Sequence, residues 1–503
     1  MHLSLASVLQ ESALRRPDKV AAVEGARSMT YRQLWDAALG RAGALRDHGV
    51  QPGDRVALLG LNTLELVTAY YGILARGAVV VPVAPMLVAD EIAFLLADSG
   101  AKLALVTDDL VDVVADGARQ AQVPILRLGD ELAFGAPEPR AAREPLDPAV
   151  LFYTSGTTGR PKGAVLTHLN LVMNAITNAF MANELGPDDV MFGCLPLFHT
   201  FGQSVALNGT FLSGGTIVLQ PRFEPEAALR LMVEHGVTSF LGVPTMYMAL
   251  LAAAREGVEL PRLKLAVSGG APLPVATLEA FVERFGVDVR EGYGLSETSP
   301  TATVNQPLLG IEPGSIGHPI WGVEVEIADA DADDRIVLLE PDEVGEIVIR
   351  GHNVFAGYHE RPEATAAAIV DGWFRSGDLG TKDAQGFIRI VDRKKDLILR
   401  GGYNVYPREV EEVLVRHPAV DQVAVVGVPH PTHGEEVLAV VVPAPGRPRP
   451  EAEELLAWVG ERVARHKRPR LLRFVDELPL GPSRKVLKRE LRDRFAQELP
   501  AER

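Results

Sequence analysis

The stretch Tyr153-Thr154-Ser155-Gly156-Thr157-Thr158-Gly159-Arg160-Pro161-Lys162-Gly163 governs how the rest of the chain is read. Three of its eleven residues are glycine and four are serine or threonine. A loop of that make-up offers backbone N–H and hydroxyl donors in close succession, which suits successive phosphate oxygens. Lys162 adds a cation on a flexible stem. The spacing is not that of a Walker A loop, because Pro161 takes the second-glycine position and no Gly-Lys-Ser/Thr follows. An ordinary P-loop NTPase is thereby excluded, and a plain flexible linker has no need of the closing Pro-Lys-Gly.

Short apolar runs lie on either side of the loop. RVALLG at 55–60, GAVVVP at 77–82 and KLALVT at 102–107 precede it, with helical spacing over 64–75. Similar runs recur at 215–219, 238–242 and 264–268. This β-α-β rhythm predicts α/β architecture, with parallel sheets covered by helices. Residues 322–328 (GVEVEIA) and 345–350 (GEIVIR) alternate strictly, which predicts half-exposed antiparallel strands in a small β-barrel or hairpin set. The pattern changes after the charge cluster Asp392-Arg393-Lys394-Lys395-Asp396. A helix opening at Pro407 is predicted there, then strands near 423–428 and 437–442 and a helix near 452–465. The expected organisation is a large N-terminal domain over 1–391, a hinge at 392–395, and a smaller mobile α+β C-terminal domain over 396–503.

Length and composition bound the function. With 503 residues, 47% hydrophobic and 23% charged, the chain is globular and long enough for two to four domains. Fifty Lys and Arg against 66 Asp and Glu give a net charge of −16, which argues against sequence-blind nucleic-acid binding. A single cysteine, Cys194, permits no internal disulfide and no multi-cysteine zinc site, so a reducing, cytoplasmic setting is expected. No signal peptide and no 18-residue apolar stretch is read in the sequence. His430 and His433 (HPTH) have metal-ligand spacing without further ligands nearby and read as a surface loop.

Further motifs carry chemistry. In Glu291-Gly292-Tyr293-Gly294-Leu295-Ser296-Glu297-Thr298, Tyr293 can stack on a base, Ser296 can donate to phosphate, and Glu297 can hold Mg²⁺, which prefers hard oxygen ligands. Gly269-Gly270-Ala271 after an apolar strand lets backbone approach a flat ligand. Asp378, in Ser376-Gly377-Asp378, can accept both ribose hydroxyls, and Arg393 can donate to them.

Residues 154–163, with these motifs in the same order, resemble the adenylate-forming superfamily: acyl- and aryl-CoA synthetases, peptide-synthetase adenylation domains and beetle luciferases. The resemblance runs nearly end to end. It implies that Thr154, Ser155, Gly156, Thr157, Thr158, Gly159 and Lys162 cradle the phosphates of ATP. It implies that Gly269, Gly270, Ala271, Glu291, Gly292, Tyr293 and Gly294 border the nucleotide and acyl pocket, with Ser296 at the phosphate and Glu297 on the metal. Asp378 and Arg393 would hold the ribose, Lys395 would be the pivot, and Gly401-Gly402 would line the pantetheine tunnel. His199 would gate the acyl pocket, where amino-acid-activating relatives usually carry an aspartate. A carboxylate attacking the α-phosphate brings anion to anion, so a cation must bridge them. The family's C-terminal lysine matches Lys485, although Arg484 stands where a glycine usually precedes it. Lys488, beside Arg489 and Arg492, reads instead as a solvated helix face.

The resemblance implies an acid–thiol ligase of the fatty acyl-CoA synthetase type. It would use ATP, Mg²⁺ and coenzyme A as co-substrate, with a small-molecule carboxylic acid as partner. The alternatives are a ligase for aryl or other acids, an acyl-AMP ligase loading a separate carrier protein, a luciferase-like oxidase, and a non-catalytic nucleotide-binding relative. Oligomeric state is not legible.

Overall fold

The computed structural model describes residues 2–129, 135–154, 160–480 and 486–498. The chain divides into two compact units, 1–325 with 349–374, and 326–348 with 375–503.

The first unit is built on two sheets. One has six strands in the order Ile125–Arg127, Leu103–Val106, Arg55–Leu59, Val79–Pro82, Pro148–Thr154 and Lys162–Thr167. Neighbours are parallel except for the last pair, which is an antiparallel hairpin. Every residue of Leu103–Val106 and Val79–Pro82 is buried, as expected of parallel strands covered on both faces. The helix Leu64–Ala75 forms where the apolar spacing predicts it, and the Thr63 side chain caps it by accepting from the Leu66 amide at 3.2 Å. Only Glu65 escapes burial along that helix, so packing rather than amphipathicity holds it.

The second sheet has nine strands. Val20–Glu24, Thr216–Leu219, Val190–Gly193, Ser239–Gly242, Leu265–Ser268 and Val289–Gly294 run parallel in that order, with antiparallel strands at both edges. Phe192, Phe240, Tyr247 and Phe281 anchor its core with buried rings. In such sheets ligands collect outside the carboxyl ends of the strands. Nearly every motif singled out in the first unit lies at such an end. The alternating segments expected to form a small barrel build a five-stranded half-barrel sheet.

The second unit centres on the long hairpin Val420–His430 and Gly434–Pro443, extended by Ile398–Arg400, Tyr403–Val405 and Leu471–Phe474. Alternation decides what each face buries. Val425, Val437, Ala439 and Val441 pack with Val410 and Leu455 from the helices Pro407–Leu414 and Ala452–Gly460. Val426, Val428, Leu438 and Val440 point the other way and pack with Leu491 and Phe495 of the helix Lys488–Glu498.

Candidate active site

The glycine loop is the connection of a hairpin. Thr154 ends one strand and pairs with Lys162, and Tyr153 pairs with Gly163. Ser155, Gly156, Thr157, Thr158 and Gly159 lie outside the described residues. The hairpin's returning strand is zipped to residues 356–359, with the Val165 amide on Gly357 O at 3.0 Å and the His359 amide on Gly163 O at 2.7 Å. That pairing places Tyr358 beside Lys162, whose Nζ lies 5.1 Å from its ring centroid, within cation–π reach.

Glu297 is where the loop meets the second motif. Its carboxylate is buried, and Oε1 accepts from Thr154 Oγ1 at 3.2 Å and from Tyr358 OH at 2.9 Å. Its own carbonyl takes the Phe355 amide at 2.9 Å. Burial and the neighbouring Glu297 charge push the Tyr358 phenol well above its ordinary pKa, so it stays a donor. A carboxylate fixed by two hydroxyls at the edge of a phosphate-type loop fits a hard divalent cation such as Mg²⁺. Upstream, Tyr153 OH donates to Asp98 Oδ2 at 2.8 Å, and Arg361 pairs with Asp98 at 2.5 Å, which locks the hairpin's base.

Glu291, Gly292, Tyr293 and Gly294 form the carboxyl end of the strand Val289–Gly294, and Ser296 opens the single turn Ser296–Thr298 that carries Glu297. Glu291 is buried and accepts the Gly314 amide at 2.8 Å. Gly294 is demanded by space, because a Cβ there would sit 1.8 Å from Pro300 O. Gly269 follows the strand Leu265–Ser268, and a Cβ on it would come 3.2 Å from the Phe201 ring and 3.4 Å from Gly292 O. Gly270 and Ala271 are exposed just beyond. His199 is half-buried after the strand Val190–Gly193, with Nδ1 accepting from the Phe201 amide at 3.3 Å. The chain continues from there through the wide helical turns of Phe201–Asn208, a rare geometry enriched at functional sites. The first unit thus brings together Thr154, Lys162 and Glu297, and separately Gly269, Gly292 and Phe201.

In the second unit Asp378 and Arg393 are cross-strand partners, joined by Arg393 Nε to Asp378 Oδ1 at 2.8 Å. Asp378 is buried while Arg393 is half-exposed, and Ser376 Oγ accepts the Asp378 amide at 3.0 Å. Asp392 is buried and accepts the amides of Arg393 (2.7 Å) and Arg408 (2.9 Å). Burial pushes its carboxyl up despite Lys488 and those amides. Lys395 is exposed in the turn Lys394–Asp396, and Gly401 and Gly402 are exposed at φ +57° and +84°. Lys485 lies outside the described residues. Among the described residues on either side of it, Leu480 bridges Val486 and the Leu487 amide donates to Pro479 O at 2.8 Å.

Three participants escaped the sequence reading: Tyr358, Asp98 and Arg361. Each meets its partners across 55 to 263 residues, so no local spacing announces it.

Known proteins resemble the chain over nearly its whole length. Residues 9–359 match the family model described as AMP-binding enzyme, and residues 409–485 match AMP-binding enzyme C-terminal domain. A feruloyl-CoA synthase of Amycolatopsis sp is 40% identical over 484 residues, covering 95% of this chain and 96% of that protein. A long-chain-fatty-acid–CoA ligase of Bacillus subtilis is 35% identical, covering 97% of this chain and 94% of that protein. ATP-bound MatB from Rhodopseudomonas palustris superposes with a TM-score of 0.90 at 32% identity, covering 99% of this chain and all of that one.

Proposed function

The chain belongs to the AMP-binding enzyme family, and from that membership we propose that it is an AMP-forming acid–CoA ligase for an apolar monocarboxylic acid. In the first step a carboxylate oxygen bonds to the α-phosphorus of ATP and pyrophosphate departs. In the second, the thiol sulfur of CoA bonds to the acyl carbon, its proton is lost, and AMP leaves. The observation that carries the reading is the Thr154–Glu297–Tyr358 cluster, which ties the glycine loop to the Tyr293–Glu297 motif.

Each residue has a task in this reading. The hydroxyls and amides of 154–159 and Lys162 bind phosphate, and Ser296 donates to it. Glu297 is the residue to hold Mg²⁺, whose charge would neutralise the phosphates when bound. Tyr293 and the Gly269-Gly270-Ala271 backbone flank the base. Asp378, held in place by Arg393, accepts the ribose hydroxyls. Lys485 bridges carboxylate and α-phosphate, and Lys395 pivots the small domain so that Gly401-Gly402 can admit the thiol. His199 and Phe201 shape the acyl end. Neither of these two described residues is a lysine or arginine that would hold a second carboxylate, which supports a monoacid. Among the described residues no helix is long and apolar enough to cross a membrane, and we place the reaction in the cytoplasm.

The acid's body is aromatic or a fatty chain, and one experiment reads both. Purified protein with ATP and Mg²⁺ is offered ferulate, benzoate and fatty acids of graded length, with and without CoA, and products are identified by mass spectrometry. Acyl-CoA, AMP and pyrophosphate from at least one acid are expected. Acyl-AMP that accumulates regardless of CoA would overturn the CoA assignment in favour of a carrier-protein acceptor.

A further inference from the structure

His430 ends the strand Val420–His430 and Gly434 begins its partner, so Pro431, Thr432 and His433 form the turn. In the hairpin register His430 faces Gly434 and Val428 faces Glu436. Gly434 and Glu436 are two residues apart on one strand, which puts Glu436 diagonally across from His430 on the same face. His433 leans in from the turn. One ligand-type atom from each of His430, His433 and Glu436 lies within 4.8 Å of the other two. Sequence spacing offered only the two histidines; the third ligand comes from the strand register.

Two side-chain atoms point to a ligand. His433 Nδ1 and Glu436 Oε2 are both buried and both lack a hydrogen-bond partner. An unmet buried carboxylate oxygen is costly, and here it lies beside an unmet imidazole nitrogen. The other carboxylate oxygen, Oε1, takes Arg400 Nε at 2.9 Å and the Val437 amide at 2.9 Å. Those contacts hold and aim the Glu436 carboxylate, the support that ligating carboxylates commonly have. The His430 ring is steadied by the amides of Thr432 (3.3 Å) and His433 (3.2 Å), long contacts that yield to a stronger ligand bond. Arg470 Nη1 stands 3.8 Å from Glu436 Oε2 and opposes a cation, so affinity falls below that of an all-anionic site.

We propose that His430, His433 and Glu436 form a binding site for a divalent transition metal of the zinc class. Two imidazoles and one carboxylate are a ligand set that suits Zn²⁺ and Co²⁺ and leaves a position for water, whereas Mg²⁺ and Ca²⁺ prefer oxygen. The metal braces the turn whose His433 carbonyl accepts the Gly401 amide at 2.7 Å. This site stands apart from the ligase reading and survives its failure.

The test uses full-length protein stripped with chelator and titrated with Co²⁺ by visible absorption and with Zn²⁺ by calorimetry. One equivalent is expected, with a ligand-field band for Co²⁺ and a higher melting temperature with Zn²⁺. His430→Ala and His433→Ala should each weaken binding roughly tenfold or more, by comparison with the losses that follow even outer-shell changes. Both histidines are on a partly exposed turn, so these variants keep the test alive if Glu436→Gln, which strands Arg400, fails to fold. Absence of stoichiometric binding, or binding that persists unchanged in both histidine variants, would overturn the site.

Discussion

His168 sets one pH dependence of stability. It opens the helix His168–Ile176, and its Nδ1 accepts the Leu5 amide at 3.0 Å in a buried setting. Burial, reinforced by Arg143 and Arg140 against Asp147, lowers its pKa from 6.5 to about 4. The folded protein keeps this ring neutral down to about pH 4, while the unfolded chain takes up a proton below about 6.5. The unfolded state therefore binds more protons in that window, and stability falls as pH drops through it. The loss is on the order of 3 kcal/mol at most. His168→Asn preserves an acceptor for Leu5 without the titration. Urea melts of the first unit's transition at pH 7, 5.5 and 4.5 should show a shallower acid loss in the variant than in wild type; parallel losses would refute the assignment. Single residues were unevenly legible in the sequence. Glu297 stood out in its motif as a candidate metal ligand, but its two hydroxyl partners were not legible, because Tyr358 reaches it only through tertiary pairing. Phe201 against Gly269 was likewise invisible until the strands were ordered.

Among the secondary-structure elements, the helix Lys488–Glu498 corrects the sequence reading. The sequence puts Lys488 on a solvated face with Arg489 and Arg492, yet its Nζ meets Glu411 Oε1 at 2.7 Å and is half-buried. Burial pushes the Glu411 carboxyl up, while Lys488 and the Val425 amide pull it back. The pair fastens the start of this helix to the helix Pro407–Leu414, three residues beyond Lys485 in sequence. Lys488→Met strands Glu411 and should cost about 1.5–3 kcal/mol near neutral pH. Because burial raises the carboxyl's pKa and Lys488 no longer lowers it, that cost should shrink as pH falls, beginning above the ordinary glutamate range. Adding Glu411→Gln should recover part of the loss, and denaturant melts in a double-mutant cycle would show it; additive losses would mean the contact carries no coupling. Periodicity found the helix Leu64–Ala75 and the hairpin Val420–His430 with Gly434–Pro443, since burial on one face leaves a repeat in the sequence. It could not assign a lysine to a glutamate 77 positions away, nor Glu436 to His430, because charge pairing across elements leaves no repeat.

For the protein as a whole, the proposed reaction makes opposed demands on one acyl carbon. Adenylation needs a cation between two anions and water kept away, whereas thioester formation needs that space opened to a thiol. The residues proposed for the two demands, Lys485 and the Gly401-Gly402 turn, belong to the same compact unit and lie 83 positions apart. One small unit then serves two steps with different parts of its surface, and each part should fail alone. Lys485→Ala should lower acyl-AMP formation by roughly 10²–10³-fold, the loss typical of one electrostatic stabiliser. Thioester formation from preformed acyl-AMP should survive in that variant. Gly402 sits at φ +84°, which an L side chain rarely adopts, so Gly402→Val strains the turn and adds bulk at the place proposed for the thiol. That variant should keep adenylation, followed by pyrophosphate release, and lose thioester formation from added acyl-AMP. Rapid-quench measurement of both half-reactions in both variants gives four rates. The crossed pattern requires the two steps to use separate parts of the second unit. Equal loss of both steps in either variant would mean that its residue acts on binding or folding common to both, and the division of labour would fall with it.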